Sequence, residues 1–396
     1  MSDMPIIKLR AHRETPIRAG HPWVFSNALI GDIQAQPGVL VRVMAADNSF
    51  LGIGTYNPLT SIRIRIISTA DEQINETFFV NKLVLLDKMK QKYLPSQTNG
   101  YRLVHSDADG FPGLIIDRYD QTFVFQIHTA GMEHLRPLII SSIKKAFRPA
   151  AIVERSDVSA RKEEGLQDYP VQVHLGQIDS PVDFLENGYS FLADVLSGQK
   201  TGFFLDQRDA RLQFGMICSK RKVLNLFCYS GAFSVYAALA GAESVVSVDT
   251  SEAALELAIA NFKLNKLDPA SKKYEFIKAD VFDYLHSLNK SADFDFIVCD
   301  PPAFAKSKAK VEQAIKAYED LNKKCFELLK TSCLLASSSC SGRVTLDDFK
   351  NMLRMASGKA GRDTRVIACM GQAFDHTEKL SFPEGRYLKT IFVEVL

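Results

Sequence analysis

The chain has 396 residues, 46% of them hydrophobic and 24% charged, and a net charge of +2. That length exceeds what one hydrophobic core usually serves and predicts two or three domains. The near-zero balance excludes a nucleic-acid binder driven by global charge, so any such contact must come from local patches. No apolar run is long enough to span a membrane, and the first 13 residues lack the apolar core of a signal peptide. A cytoplasmic chain without a membrane partner is expected. The seven cysteines are scattered, mostly within apolar segments, and no Cys/His cluster has zinc spacing. Neither a disulfide framework nor a metal is expected.

Residues 1–69 read as a small β-rich domain. Strands at 39–43 and 50–55 flank the turn Ala46-Asp47-Asn48-Ser49, and Ile62-Arg63-Ile64-Arg65-Ile66 alternates apolar and basic. Lys8, Arg10, Arg13, Arg18, Arg42, Arg63 and Arg65 outnumber Asp3, Glu14, Asp32 and Asp47. With Trp23 in the nearby HPWVF, this composition suits RNA, which is often read by stacking and shape. A solvated barrel face with Trp23 in its core is the simpler alternative.

Residues 70–185 predict a compact α+β domain: a helix over 71–93, strands at 101–105, 114–117, 123–128 and 151–154, and a helix over 137–147. The loop Asp107-Ala108-Asp109-Gly110 lacks the further spaced ligands of a calcium loop and reads as a plain turn. Residues 156–167 are charge-rich and predict an exposed loop, with Arg161 and Lys162 facing solvent or a phosphate.

Residues 186–396 alternate strands and helices. The stretch 223–251, VLNLFCYSGAFSVYAALAGAESVVSVDTS, reads as strand, tight loop, helix and second strand ending on Asp249. The strands that follow end at Asp280, Asp300 and Cys340, and a last pair of strands lies near 364–370 and 387–395. Four successive strands ending on polar groups predict one site at the carboxyl edge of a mostly parallel sheet with an antiparallel edge. The loop carries only Gly231 where the dinucleotide fingerprint needs three glycines, and Cys228-Tyr229-Ser230 would crowd a pyrophosphate. A cofactor without phosphates fits better, and S-adenosyl-L-methionine is one. Asp249 would then take the ribose, Asp280 the adenine amino group, and groups around Asn225 and Tyr229 the methionine end. In GQKTGFFLDQR, the Phe residues and Asp206 or Gln207 would cover and bond a cofactor ring; Phe203 and Phe204 as core plugs are the structural alternative.

These motifs resemble the class I S-adenosylmethionine-dependent methyltransferases, specifically the ribosomal RNA large subunit methyltransferase I family of 5-methylcytosine enzymes. HPWVFSNAL and GTYNPLTSIRIRI resemble that family's PUA domain, and LVHSDADGFPGLIIDRY its central domain. GQKTGFFLDQR, NLFCYSGAFS, DPPAFAKSK and SSSCSG resemble its catalytic motifs, in order. The resemblance implies an α/β fold: a C-terminal Rossmann-like seven-stranded methyltransferase sheet (186–396), an N-terminal PUA-like β-barrel (1–69) and a central small α+β domain (70–185). It implies a cofactor pocket of Phe203, Asp206, Gln207, Asn225, Phe227, Tyr229, Ser230, Gly231, Asp249, Thr250, Ser251, Asp280, Val281, Asp300 and Pro301. It implies Cys340 as nucleophile, with Asp300 beside it. The implied partner is large-subunit ribosomal RNA, with a homodimer as an option.

The chemistry asks for such a thiol. Carbon 5 of cytosine is a poor nucleophile until a thiolate adds at carbon 6, and sulfur adds reversibly. Cys340 lies among serines at a strand end, whereas Cys333 and Cys369 have apolar neighbours and read as core. The stretch after Asp300 has no second cysteine for product release, and Cys299 reads as packed in its strand. DPP followed by an aromatic also resembles nitrogen methyltransferases, in which Phe304 would stack on guanine or adenine. Lys306, Lys308 and Lys310 would grip phosphate or simply be solvated.

Overall fold

The computed structural model describes residues 4–31, 34–288, 292–304 and 311–396. The chain forms two compact units: Met1–Leu185 with Ala193–Leu205 and Phe374–Gly385, and Glu186–Leu192 with Asp206–Ala373 and Arg386–Leu396.

The first unit holds two five-stranded sheets. In one, Ile6–Lys8, Leu40–Met44, Phe50–Tyr56, Ile62–Ser68 and Trp23–Phe25 lie side by side in that order. The expected alternation holds: Ile64 and Ile66 are buried, and the alternating Arg63 and Arg65 are part-exposed. The basic side chains are largely engaged within the unit. Arg42 pairs with Asp71 at 2.6 Å, and Arg65 pairs with Glu164 at 2.8 Å while lying 5.8 Å from the Trp23 ring centroid. Arg63 donates to the carbonyls of Pro58 and Thr60. Trp23 donates its indole N–H to Asp107 at 2.7 Å, so the turn acid serves as an anchor.

The second sheet runs Gln172–Leu175, Ala151–Glu154, Thr122–Ile127, Leu114–Tyr119, Gly100–His105. Helices Glu76–Gln91 and Arg136–Phe147 bury Phe79, Leu83, Ile139 and Ile143 against it. The first helix starts later than its apolar pattern predicts, because Asn75 caps it by accepting from Phe78 N at 3.0 Å. The segment 156–167 is exposed at most positions, as expected, but the placement of Arg161 in solvent is corrected. Arg161 is 2% exposed, pairs with Glu133 at 2.8 Å and donates to the Ile127 and Gln167 carbonyls. A guanidinium with those three partners cannot face a phosphate; Lys162, by contrast, is exposed.

The second unit is built on a seven-stranded sheet. Its strands, numbered in chain order, are β1 (Lys222–Leu226), β2 (Ser244–Asp249), β3 (Tyr274–Lys278), β4 (Phe296–Cys299), β5 (Leu334–Ser339), β6 (Thr364–Met370) and β7 (Lys389–Val395). They lie in the order β3-β2-β1-β4-β5-β7-β6. The first five are parallel; β7 inserts antiparallel between β5 and β6. The inner strands β1, β2, β4, β5 and β7 are short apolar runs buried on both faces, as strands covered by helices must be, whereas the edge strands β3 and β6 are only partly covered. Leu224, Ile297, Leu335 and Ile391 form one core with Leu321, Phe326 and Phe349 of helices Val311–Leu328 and Leu346–Lys359. Cys369 is the exception to its core assignment: β6 is the sheet edge, and its thiol is exposed with Val366 and Ile367.

Candidate functional site

The order of the strands brings the predicted polar ends together. Asp249 closes β2, Asp280 follows β3, Asp300 follows β4 and Cys340 follows β5, all at the carboxyl edge. β1 lies between β2 and β4, so its loop, residues 227–231, sits at the point where the strand order reverses.

That loop is a tight backbone device. Phe227, Tyr229 and Gly231 have φ of 57°, 46° and 71°. A Cβ on Gly231 would lie 2.6 Å from Ala258 Cβ, so glycine is required both by conformation and by the close approach of the next helix. Gly231 opens the helix Ala232–Leu239, and the buried Ser230 carbonyl accepts from Asn261 Nδ2 at 2.8 Å. Asn225 is buried, and its Nδ2 donates to Ser234 Oγ at 2.9 Å, which in turn meets Ser247 Oγ at 2.7 Å. This polar chain ties β1, β2 and the helix together beneath the loop.

Asp249 receives Tyr229 N at 2.8 Å on one oxygen and Ser251 N at 2.9 Å on the other. A carboxylate has about four lone-pair sites, so capacity remains for two ribose hydroxyls. Thr250 is exposed, and Ser251 caps the helix Glu252–Leu264. Asp280 caps the helix Val281–Ser287, its Oδ1 accepting from Phe282 N at 2.8 Å and Asp283 N at 3.1 Å, and its side chain is exposed. Val281 is buried directly after it. The donor and acceptor set suits adenosine with an amino-acid tail: carboxylates at two strand ends and a crowded loop with a single glycine.

On the other side of β1, Asp300 is half-buried and accepts from Gln207 Nε2 at 3.0 Å, with the buried Pro301 next in the chain. Asp206 accepts from Tyr387 OH at 2.7 Å. Cys340 is half-buried. Around it, Ser339 Oγ donates to Tyr318 OH at 3.1 Å and Ser338 Oγ meets Thr390 Oγ1 at 2.9 Å. Burial raises the Tyr318 phenol above its ordinary value, with Cys340 adding to the effect. Cys299 is fully buried and pushed well up by its contact with Cys325 and by burial, so it is a core thiol.

Not every predicted residue joins this edge. Phe203 belongs to the first unit, where its ring meets Phe184 edge-on at 4.9 Å. Phe304 packs on the core, its centroid 4.7 Å from that of Tyr318. Lys306, Lys308 and Lys310 lie outside the described residues. Tyr318, Tyr387 and Lys389 were missed by sequence reasoning. The one signal was RYLKT, a polar run opening an otherwise apolar final strand. Among the described residues, no group of three or more His, Cys, Asp or Glu is placed to hold a metal, and no helix is long and apolar enough to cross a membrane.

A sheet of this order with a carboxylate at β2 and a phosphate-poor loop after β1 defines a Rossmann-like methyltransferase. The comparisons with known proteins agree. Residues 168–349 match the family described as S-adenosylmethionine-dependent methyltransferase, and residues 7–69 match the PUA-like domain. The ribosomal RNA large subunit methyltransferase I of Vibrio vulnificus (strain CMCP6) is 37% identical over 388 residues, covering 97% of this chain and 98% of that protein. The protein of the same name from Alteromonas mediterranea is 39% identical, covering 98% of each. A solved S-adenosylmethionine-dependent methyltransferase from Streptococcus mutans superposes with a TM-score of 0.82 at 25% identity, covering 99% of this chain and 100% of that one. A solved methyltransferase complexed with S-adenosylhomocysteine gives 0.84 at 26% identity with the same coverage. The chain therefore belongs to the ribosomal RNA large subunit methyltransferase I family, and its cofactor is S-adenosylmethionine.

Proposed function

We propose that this protein forms 5-methylcytosine in large-subunit ribosomal RNA through a transient adduct between Cys340 and cytosine carbon 6. The observation that carries the reading is the placement of Cys340. It is the one half-buried cysteine among seven, and it follows β5 on the strand next to Asp300. S-adenosylmethionine supplies an electrophilic methyl group on its sulfonium. Asp249 holds the ribose, Asp280 the adenine amino group, and Asn225 and Tyr229 the methionine end. Asp206, Gln207, Phe227, Ser230, Gly231, Thr250, Ser251, Val281 and Pro301 complete the lining. Asp300 receives the amino edge of the cytosine and fixes its orientation.

The thiolate of Cys340 adds to carbon 6, which moves electron density onto carbon 5; that carbon would take the methyl group as the methyl–sulfur bond of the cofactor breaks and S-adenosylhomocysteine leaves with the electron pair. A base then takes the proton from carbon 5, the carbon–sulfur bond breaks, and the ring double bond returns with the thiolate. The target cytosine must be flipped out or already single-stranded. In the domain scheme that goes with this reading, residues 1–69 bind RNA, 70–185 form the central domain and 186–396 catalyse. The setting is the cytoplasm, with a homodimer as an option.

Wild-type protein and Cys340→Ala, each given unmodified ribosomal RNA, test the reading through product nucleosides resolved by mass spectrometry. 5-Methylcytosine is expected from the wild type alone. Methylated guanosine or adenosine, or 5-methylcytosine from the variant at the wild-type rate, overturns it.

A further inference from the structure

We propose that Lys389 is a positioning residue that keeps the Cys340 sulfur anionic while holding the turn that presents it; this rests on the adduct reading above. Lys389 opens β7, and its register partner on β5 is Ser339, the residue before Cys340. Its side chain is 5% exposed, and its ammonium donates to the carbonyls of Ser341 at 2.6 Å and Val344 at 2.5 Å. Those carbonyls belong to the turn directly after Cys340. An ammonium has three protons to donate, so these bonds fix the turn and leave one donor beyond them.

Neutral carbonyls do not balance a buried charge, and a buried cation normally has an anion near it. Among the described residues, Asp348, Tyr318 and Cys340 are titratable groups near this turn. Asp348, on the helix Leu346–Lys359, is committed to the cap at Thr345, accepting from Thr345 Oγ1 at 2.6 Å and Thr345 N at 3.1 Å. Tyr318, on the helix Val311–Leu328, is held by Ser339 and raised in pKa, so it stays neutral. Cys340 is the third. Burial lowers Lys389 to about 8, and of the two groups that oppose this, Cys340 outweighs Asp348. An ammonium held on the carbonyls of the turn that follows Cys340 is placed to stabilise its thiolate.

The proton balance is simple. The thiol proton passes to water before the RNA base is attacked, and Lys389 keeps its protons throughout. When the carbon–sulfur bond breaks, the same cation receives the thiolate. The effect has a sign in pH: it is present while Lys389 is protonated and is lost as pH rises through about 8.

The test is the rate of alkylation of Cys340 by iodoacetamide in the full chain, read by peptide mass spectrometry from pH 6 to 9.5 because Cys369 is also exposed. Lys389→Met and Lys389→Gln should each move the titration midpoint up by about one pH unit and slow alkylation at pH 7 roughly ten-fold. Lys389→Arg should restore the wild-type midpoint. The Gln variant retains donors for the two carbonyls, so it decides the matter if the Met variant does not fold. An unchanged midpoint in a folded Gln variant overturns the proposal, whatever Cys340→Ala does. Full 5-methylcytosine formation by Cys340→Ala overturns the adduct reading instead, even if Lys389 does shift the thiol.

Discussion

The two halves of the catalytic edge are held by different kinds of bond. On the β1–β2–β3 side, the carboxylates bond to nearby main chain: Asp249 to Tyr229 N and Ser251 N, Asp280 to Phe282 N and Asp283 N. On the β4–β5–β7 side, side chains from distant parts of the chain meet: Gln207 with Asp300, Tyr387 with Asp206, Lys389 with the turn after Cys340. The first half is a rigid cradle written in short local motifs. The second is an assembled reaction centre whose parts depend on the sheet closing correctly. A binding site can be built from backbone amides, whereas activation of a nucleophile needs side-chain charges at chosen points.

The largest effect that separates the halves is Cys340→Ala. It should reduce 5-methylcytosine formation by at least about a thousand-fold. Its affinity for S-adenosylmethionine, measured by calorimetry, should stay within about two-fold, because Cys340 follows β5, on the other half of the edge from Asp249 and Asp280. Loss of cofactor binding in a folded variant would show that the halves are not separable. Gly231→Ala attacks the cradle itself. Its Cβ would meet Ala258 Cβ at 2.6 Å, on a residue with φ of 71°. Left-handed strain and overpacking together should cost about 3 kcal/mol, read as a lower midpoint in urea.

Legibility followed the same division. The alternation of strands and helices, the carboxyl-end acids and the choice of a phosphate-free cofactor all came from contiguous residues. The misreadings came from non-local facts. TRVIACM looks like a core strand, but β6 is the sheet edge, so Cys369 is exposed. Arg161 looks like a loop cation, but Glu133 and two carbonyls bury it. Lys389 and Tyr387 could not be placed because β7 returns from the end of the chain to insert beside β5. Phe203 and Asp206 are three positions apart yet fall in different units, a break that no local pattern announces.

Asp249→Ala sharpens the comparison at smaller scale. The variant loses two backbone partners and, with them, the acceptors for ribose. Cofactor affinity should fall roughly thirty-fold, or about 2 kcal/mol, with only a minor change in the Cys340 alkylation profile. A large change in that profile would mean that the cradle also shapes the nucleophile.

The smallest effect discriminates between chemistries. If Phe304 stacked on a purine in nitrogen methylation, trimming its ring would remove a direct contact and cost most of the activity. The ring instead meets Tyr318, whose hydroxyl receives Ser339 next to Cys340. Phe304→Leu keeps an apolar plug there, so stability should drop by about 1 kcal/mol. Methylation should slow less than about three-fold, because Tyr318 retains its hydrogen bond and Cys340 its surroundings. A hundred-fold loss of methylation at unchanged stability would instead place the ring on the substrate, and the nitrogen chemistry would then regain the advantage.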